Sequence, residues 1–320
     1  MEYLSYKYFM GTLKKSKIFL YGGCDLQDIA DNPIIQKNFE IVRSNHTIVD
    51  NSDFDFNNRS FPHMGTSIIS LYTDPGPIAQ RVLETLTTSK KRDLIINREP
   101  YNEIVKFPYL DFYKKNAGPD DYLLLSFSPE IYTKFYRLGE CFTCFPAMRQ
   151  LENPENSLHW LYKEYFTKDE FLLSFDTKES LELSFDLMVD FARDIYEIFQ
   201  DRVLLIKTHF SNFIISDDYK IKSMKIGPDN LLYYKQTKII TDPLDHSYAD
   251  RLSMIIMNKF RHHYSSNLNL IQLNDTVFLD ANHRQGLSPF HVDLKSRDKN
   301  YLHTSVSNLR PRDFQISMQK

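Results

Sequence analysis

The sequence predicts an α/β protein of three layers around a mostly parallel central sheet, and three observations carry that expectation. Apolar runs of strand length recur along the chain, and stretches of helical period separate them. The first run stops at a Gly-Gly pair, as the strand, turn and helix that open a doubly wound sheet do. With 320 residues, 42% of them hydrophobic, the chain has the apolar material for a large core.

Lys17-Ile18-Phe19-Leu20-Tyr21 reads as a buried strand entering the tight turn at Gly22-Gly23, and Asp25 to Ala30 as the first turns of a helix, with Asp25 favouring its N-terminus. Further continuous apolar runs, at 66–72, 121–127, 202–207 and 268–273, suit parallel strands covered on both faces, the last of them closing the series. Helical patterns cover Pro77 to Ser89, Thr177 to Gln200 and Pro243 to Tyr264. The second is strongly amphipathic, with Leu181, Leu183, Leu187, Phe191, Ile195 and Ile198 on its apolar side. Residues 130–176 are aromatic and irregular. Residues 214–240 alternate in a way that fits an inserted hairpin, around Ile221, Met224, Ile226 and Leu231-Leu232-Tyr233-Tyr234. One domain over 1–320, with insertions at about 130–176 and 214–240, is the expected organisation.

Composition removes several function classes. A formal net charge of -3 argues against a dedicated nucleic-acid binder, which needs an excess of Lys and Arg on one face. The N-terminus, Met1-Glu2-Tyr3-Leu4-Ser5-Tyr6-Lys7, places acid where a secretory signal carries positive charge, and no apolar stretch approaches the roughly 18 residues of a membrane span. A cytoplasmic location without a transmembrane segment is therefore expected. Three cysteines do not make a disulfide scaffold. The richness in Lys, Asn, Ile and Tyr matches an AT-rich bacterial coding sequence.

Two constellations could carry chemistry. In Gly22-Gly23-Cys24-Asp25 a thiol directly follows a strand, on the sheet edge where open α/β sheets bind their ligands. Free N–H groups at the following helix start can lower a thiol's pKa and donate to an oxyanion, and glycines let a backbone come close to a substrate. The competing reading of Cys24 is a small buried hydrophobe. In Asp280-Ala281-Asn282-His283, an acid three residues before a histidine can orient the imidazole and leave its other nitrogen as general base. The competing reading is an Asp that caps a turn beside a surface His. His291, just beyond, is a candidate for the same pocket.

Other motifs have structural explanations. Cys141-x-x-Cys144 lacks the second ligand pair of a zinc site. Lys259-Phe260-Arg261-His262-His263 lies where cations complement a helix C-terminus. Asp53-Phe54-Asp55 sits in a polar, Asn-rich loop, and His209 reads as a loop residue after a strand.

The two constellations together resemble the SGNH, or GDSL-type, hydrolases. In that superfamily the nucleophile follows the first strand in a Gly-containing turn, and an Asp-x-x-His block supplies acid and base near the C-terminus. The string from Asp280 through Gly286-Leu287-Ser288-Pro289-Phe290-His291 is similar to a bacterial, polysaccharide-locus branch with Cys at the nucleophile position. That branch also tends to carry an acidic residue near Ser126 and keeps Glu130. The resemblance implies a flavodoxin-like three-layer fold with Cys24 as nucleophile, His283 as base and Asp280 as its orienter. It further implies acyl transfer, as an esterase or O-acetyltransferase, on a carbohydrate or cell-envelope polysaccharide precursor. A transferase would take its acyl group from a donor such as acyl-CoA, for which no phosphate-binding glycine motif is present; no other cofactor or metal is implied.

Gly23 stands where the turn usually has Ser or Asp, and Gln27 where the branch often has Arg. The Gly and Asn blocks that complete the oxyanion hole have no close counterpart. Gly23 and Asp25 are the backbone candidates for that role, with Gly65 and Asn212 at strand boundaries. Losing one such donor costs roughly 3–4 kcal/mol in hydrolysis. The alternative expectation is accordingly an inactive binding or assembly protein on the same fold, acting in polysaccharide biosynthesis.

Overall fold

Ile18, Phe19, Leu20 and Tyr21 are all excluded from solvent, and they form the body of β1 (Lys17–Tyr21). A strand that is apolar on both faces needs cover above and below. The computed structural model describes residues 15–23, 33–42, 67–73, 109–132, 134–138, 141–145, 159–165, 171–173, 178–208, 213–215, 221–223, 225–226, 232–234, 237–239, 246–265, 268–271 and 279–280, with single positions at 26, 30, 84, 87, 89, 154 and 155. In it, β1 pairs in parallel with β2 (Glu40–Ile41) on one side and β3 (Tyr122–Leu125) on the other. Beyond β3 lie β7 (Val203–Ile206) and β13 (Asn269–Ile271), also parallel.

The five-stranded sheet runs β13-β7-β3-β1-β2. Numbered among themselves by chain position, its strands stand in the order 2-1-3-4-5, that of flavodoxin-like doubly wound sheets. The expected α/β class and parallel central sheet are therefore present.

Alternation along the strands divides the core into two layers. Phe19, Tyr21, Leu123, Leu125, Val203 and Leu205 face one side. There they meet α2 (Ile68–Tyr72), α3 (Tyr109–Asn116), α6 (Lys178–Phe199) and α7 (His246–Tyr264). Ile18, Leu20, Leu124, Leu204 and Ile206 face the other side, against Leu26, Ala30, Ile35 and Phe39 around α1 (Pro33–Asn38).

The buried stripe of α6 passes through Ser184, Met188, Phe191, Ile195 and Phe199, a helical spacing. Leu181, Leu187 and Ile198, read from the sequence as the apolar side, flank it partly buried. Aromatic rings interlock in this layer. Phe19 packs edge-on to Phe112 and Tyr113, Tyr21 packs on Tyr109 and Phe191, and Phe127 packs on Phe191 and Phe260.

Side-chain bonds pin the amino-terminal edge of the sheet. Asp121 accepts from the N–H of Lys17 at 2.7 Å and of Gly118 at 2.7 Å, joining the start of β1 to the turn before β3. Arg202 donates to the carbonyls of Gly118, Asp121 and Ile198 at 2.7, 2.7 and 3.0 Å, tying the end of α6 to that same turn.

Three expectations need correction. The run 66–72 is not a strand: Ile68–Tyr72 is α2, begun by Ser67, whose extended backbone and hydroxyl, accepting from the Ser70 N–H, make it an N-cap. Residues 130–176 are not irregular throughout. They begin within α4 (Ser128–Tyr132) and contain α5 (His159–Tyr165) and an antiparallel sheet of β4 (Lys134–Leu138), β5 (Cys141–Phe145) and β6 (Phe171–Leu173). The run 268–273 holds the edge strand β13 but not the last strand, since β14 (Leu279–Asp280) follows it.

The stretch 214–240 contributes to two small sheets. β8 (Phe213–Ile215) pairs with β9 (Ile221–Ser223), while β10 (Lys225–Ile226), β11 (Leu232–Tyr234) and β12 (Thr237–Ile239) form an antiparallel set. The Pro77 to Ser89 helix expectation falls almost wholly outside the described residues. Among the described residues no helix is long and apolar enough to cross a membrane.

Candidate functional site

The carboxyl ends of β1 and β3 lie level, with Tyr21 in register with Leu125 and the Ser126 N–H donating to the Tyr21 carbonyl at 2.8 Å. Beyond this point the two chains part. After β1 the chain turns toward the layer containing Leu26, Ala30 and Ile35. After β3 it turns to the opposite layer, where Phe127 and Ile131 are buried. Neighbouring strands whose connections leave to opposite faces open a crevice at their carboxyl ends, the usual ligand position of such sheets.

Gly22 and Gly23 follow β1 at this switch point. A side-chain carbon at Gly22 would stand 2.3 Å from Ser126 Oγ and 2.7 Å from Leu26 Cδ1, closer than real carbons approach either. The φ of Gly22 is not in the left-handed region, so glycine is required here by space rather than by backbone conformation. The Gly23 N–H donates to Ser128 Oγ at 2.9 Å, and the Ser126 and Ser128 hydroxyl oxygens are 3.3 Å apart. Both serines are buried.

Behind them Glu130, wholly buried, accepts the Ile68 N–H through Oε1 at 2.6 Å, so that α4 carries a carboxyl to the start of α2. Burial pushes this carboxyl up to about 8, against the lowering effect of the Ile68 bond. The Tyr21 hydroxyl is raised well above its ordinary value, chiefly by burial and then by the nearby Glu130.

Further along the same edge, just past β7, Lys207 is mostly buried and donates to Asp250 at 2.8 Å. Thr208 beside it is buried. An open groove of about 570 Å³ lies elsewhere, lined by Lys15, Gln36, Phe39, Glu40 and Ile41 at the amino-terminal edge, where Lys15 donates to the Gln36 carbonyl. It is remote from the strand ends that carry the glycines.

Of the residues singled out from the sequence, Gly23 stands at the switch point as expected, but its N–H is engaged by Ser128 and is not an open oxyanion donor. Asp280 ends β14 and is in register with Ile215 of β8, in a three-stranded sheet distinct from the central one. It is therefore not in a loop after the last strand of the parallel sheet. Cys24, Asp25, Gly65, Asn212, His283 and His291 lie outside the described residues, as do His209 and Asp53 to Asp55. Cys141 and Cys144 both belong to β5, in register with Leu138 and Phe135 of β4. Arg261, His262 and His263 occupy the last turn of α7, where positive charge suits the helix dipole.

Ser128 and Glu130 bond to backbone groups distant in sequence, so spacing alone does not link them to one site; Glu130 and the Ser126 position stood out only through the family resemblance. Glycines were scarce enough to mark the turn, but no local signal ties Ser128 to Gly23. No family model matches the chain, and no curated protein or solved structure matches it.

Proposed function

We propose that the chain is an acyl-transfer enzyme of the SGNH type, an esterase or O-acetyltransferase acting on a carbohydrate or cell-envelope polysaccharide precursor. The observation that supports this reading is the Gly22-Gly23 turn, which follows β1 at the switch point of a 2-1-3-4-5 sheet and directly precedes Cys24 in the sequence. The sequence order of Cys24, Asp280 and His283 agrees with it.

In this reading His283 takes the proton of the Cys24 thiol, and the thiolate adds to the acyl carbonyl. Collapse breaks the ester bond, the leaving alkoxide takes the proton back from His283, and an acyl thioester remains. A water or sugar hydroxyl, deprotonated by His283, then attacks the thioester and releases Cys24. Asp280 orients the imidazole. Acetyl-ester turnover by Cys24→Ala and His283→Ala tests this, each variant being expected to lose the activity; unchanged turnover in both would overturn the mechanism.

Engagement of the Gly23 N–H by Ser128 favours a second reading, a binding or assembly protein of the same fold, since it removes one oxyanion donor. Absence of turnover in the parent protein, with retained carbohydrate binding, would select it.

A further inference from the structure

We infer that Ser128 is the positioning residue of the turn that precedes Cys24 in the sequence, holding the Gly23 backbone against the end of β3. The inference rests on the reading of Cys24 as nucleophile and adds to it the group that restrains the backbone just before it.

Two consecutive glycines carry the least intrinsic constraint a backbone can have. A turn that must present a reactive atom within a few tenths of an ångström therefore needs restraint from outside. The structure supplies it from three directions. Ser128, 105 residues away in the chain, accepts the Gly23 N–H at 2.9 Å. Ser126 Oγ stands 3.3 Å from Ser128 Oγ and fills the space in front of Gly22, where a side-chain carbon would come within 2.3 Å of it. Leu26, whose own N–H donates to the Gly23 carbonyl at 3.2 Å, closes the other side.

Among these groups only Ser128 restrains the Gly23 N–H, and it does so from a rigid base. It opens α4 directly after β3, and the adjoining Phe127 and Ile131 are packed into the core. Serine at a helix start ordinarily serves its own helix; here its oxygen reaches across to the neighbouring strand end.

Amide hydrogen exchange at Gly23 decides the point, measured in the parent protein, Ser128→Ala and Ser128→Thr. Ser128→Ala should speed Gly23 exchange roughly tenfold relative to amides elsewhere in β1, as expected for one lost intramolecular hydrogen bond, and Ser128→Thr should restore it. Equal protection in Ser128→Ala and the parent would overturn the inference. Should Ser128→Ala fail to fold, Ser128→Cys, with similar volume and a weaker acceptor, takes its place with the same expected direction.

Site-resolved alkylation of Cys24 against pH is read alongside. An ordinary midpoint in the parent protein refutes the nucleophile reading, whatever Gly23 does. A low parent midpoint that rises in Ser128→Ala and returns in Ser128→Thr supports positioning. A low midpoint that stays put while Gly23 exchange accelerates overturns it.

Discussion

Replacing Gly22 by alanine is the sharpest mechanical test of the switch-point turn. The added carbon would lie 2.3 Å from Ser126 Oγ, 2.7 Å from Leu26 Cδ1 and 3.1 Å from Leu26 Cγ. Both neighbours are buried, Ser126 at 0% and Leu26 at 1% exposure, so neither can swing into solvent to make room. Overpacking of this kind costs about 3 kcal/mol, the upper end of the usual range, because two contacts are violated together. Ser126→Ala alone should cost about 1 kcal/mol, for the hydroxyl it removes near Ser128. The double variant removes the closest clash and should be about 1 kcal/mol or more better than the sum of the singles. Equilibrium urea unfolding, with equal m-values across the four proteins, measures this cycle. Additivity within about 0.5 kcal/mol would refute the claim that Ser126 and Gly22 share one tightly filled space.

Two further outcomes follow from the same structure. Glu130 holds its proton to about pH 8 when folded and releases it near 4.5 when unfolded, so its contribution to stability is complete at low pH and is lost as pH rises through 8. Glu130→Gln keeps an acceptor for the Ile68 N–H and does not titrate. It should flatten the fall in urea midpoint between pH 5 and 8.5, a difference bounded at the order of 4 kcal/mol, whereas parallel profiles for the two proteins would contradict the burial assigned to this carboxyl. Arg202→Lys should destabilise by about 2 kcal/mol, because an ammonium cannot span the Gly118, Asp121 and Ile198 carbonyls that the guanidinium joins; an unchanged urea midpoint would show that the three bonds contribute nothing net.

The central sheet was legible because buried parallel strands announce themselves as unbroken apolar runs. Tyr122–Leu125 and Val203–Ile206 fall inside the runs that marked them, and α6 ends within a residue of its expected bounds at each end. The same signal misled at 66–72. A short apolar run fits a strand or a buried helix turn equally, and the deciding feature, Ser67 as N-cap, is a single residue. β14 has two residues, too few for any periodicity, so Asp280 could not be assigned to a strand in advance.

The candidate site divides in the same way. Gly22-Gly23 was visible because glycine is rare in this chain, with 9 in all, and because a strand stops there. The bonds from Gly23 to Ser128 and from Ile68 to Glu130 join residues 105 and 62 positions apart, and only the folded topology brings them together. Spacing could place Gly23 just after a strand, but it could not show that its N–H is already engaged.

The central proposal is that Cys24 is a nucleophile activated by His283. Site-resolved alkylation of Cys24 against pH, in the parent protein and in His283→Ala, tests it most directly. The parent midpoint should lie well below the ordinary thiol value of about 8.5 and rise toward that value when His283 is removed. An ordinary midpoint in both proteins, with the fold intact, would contradict it.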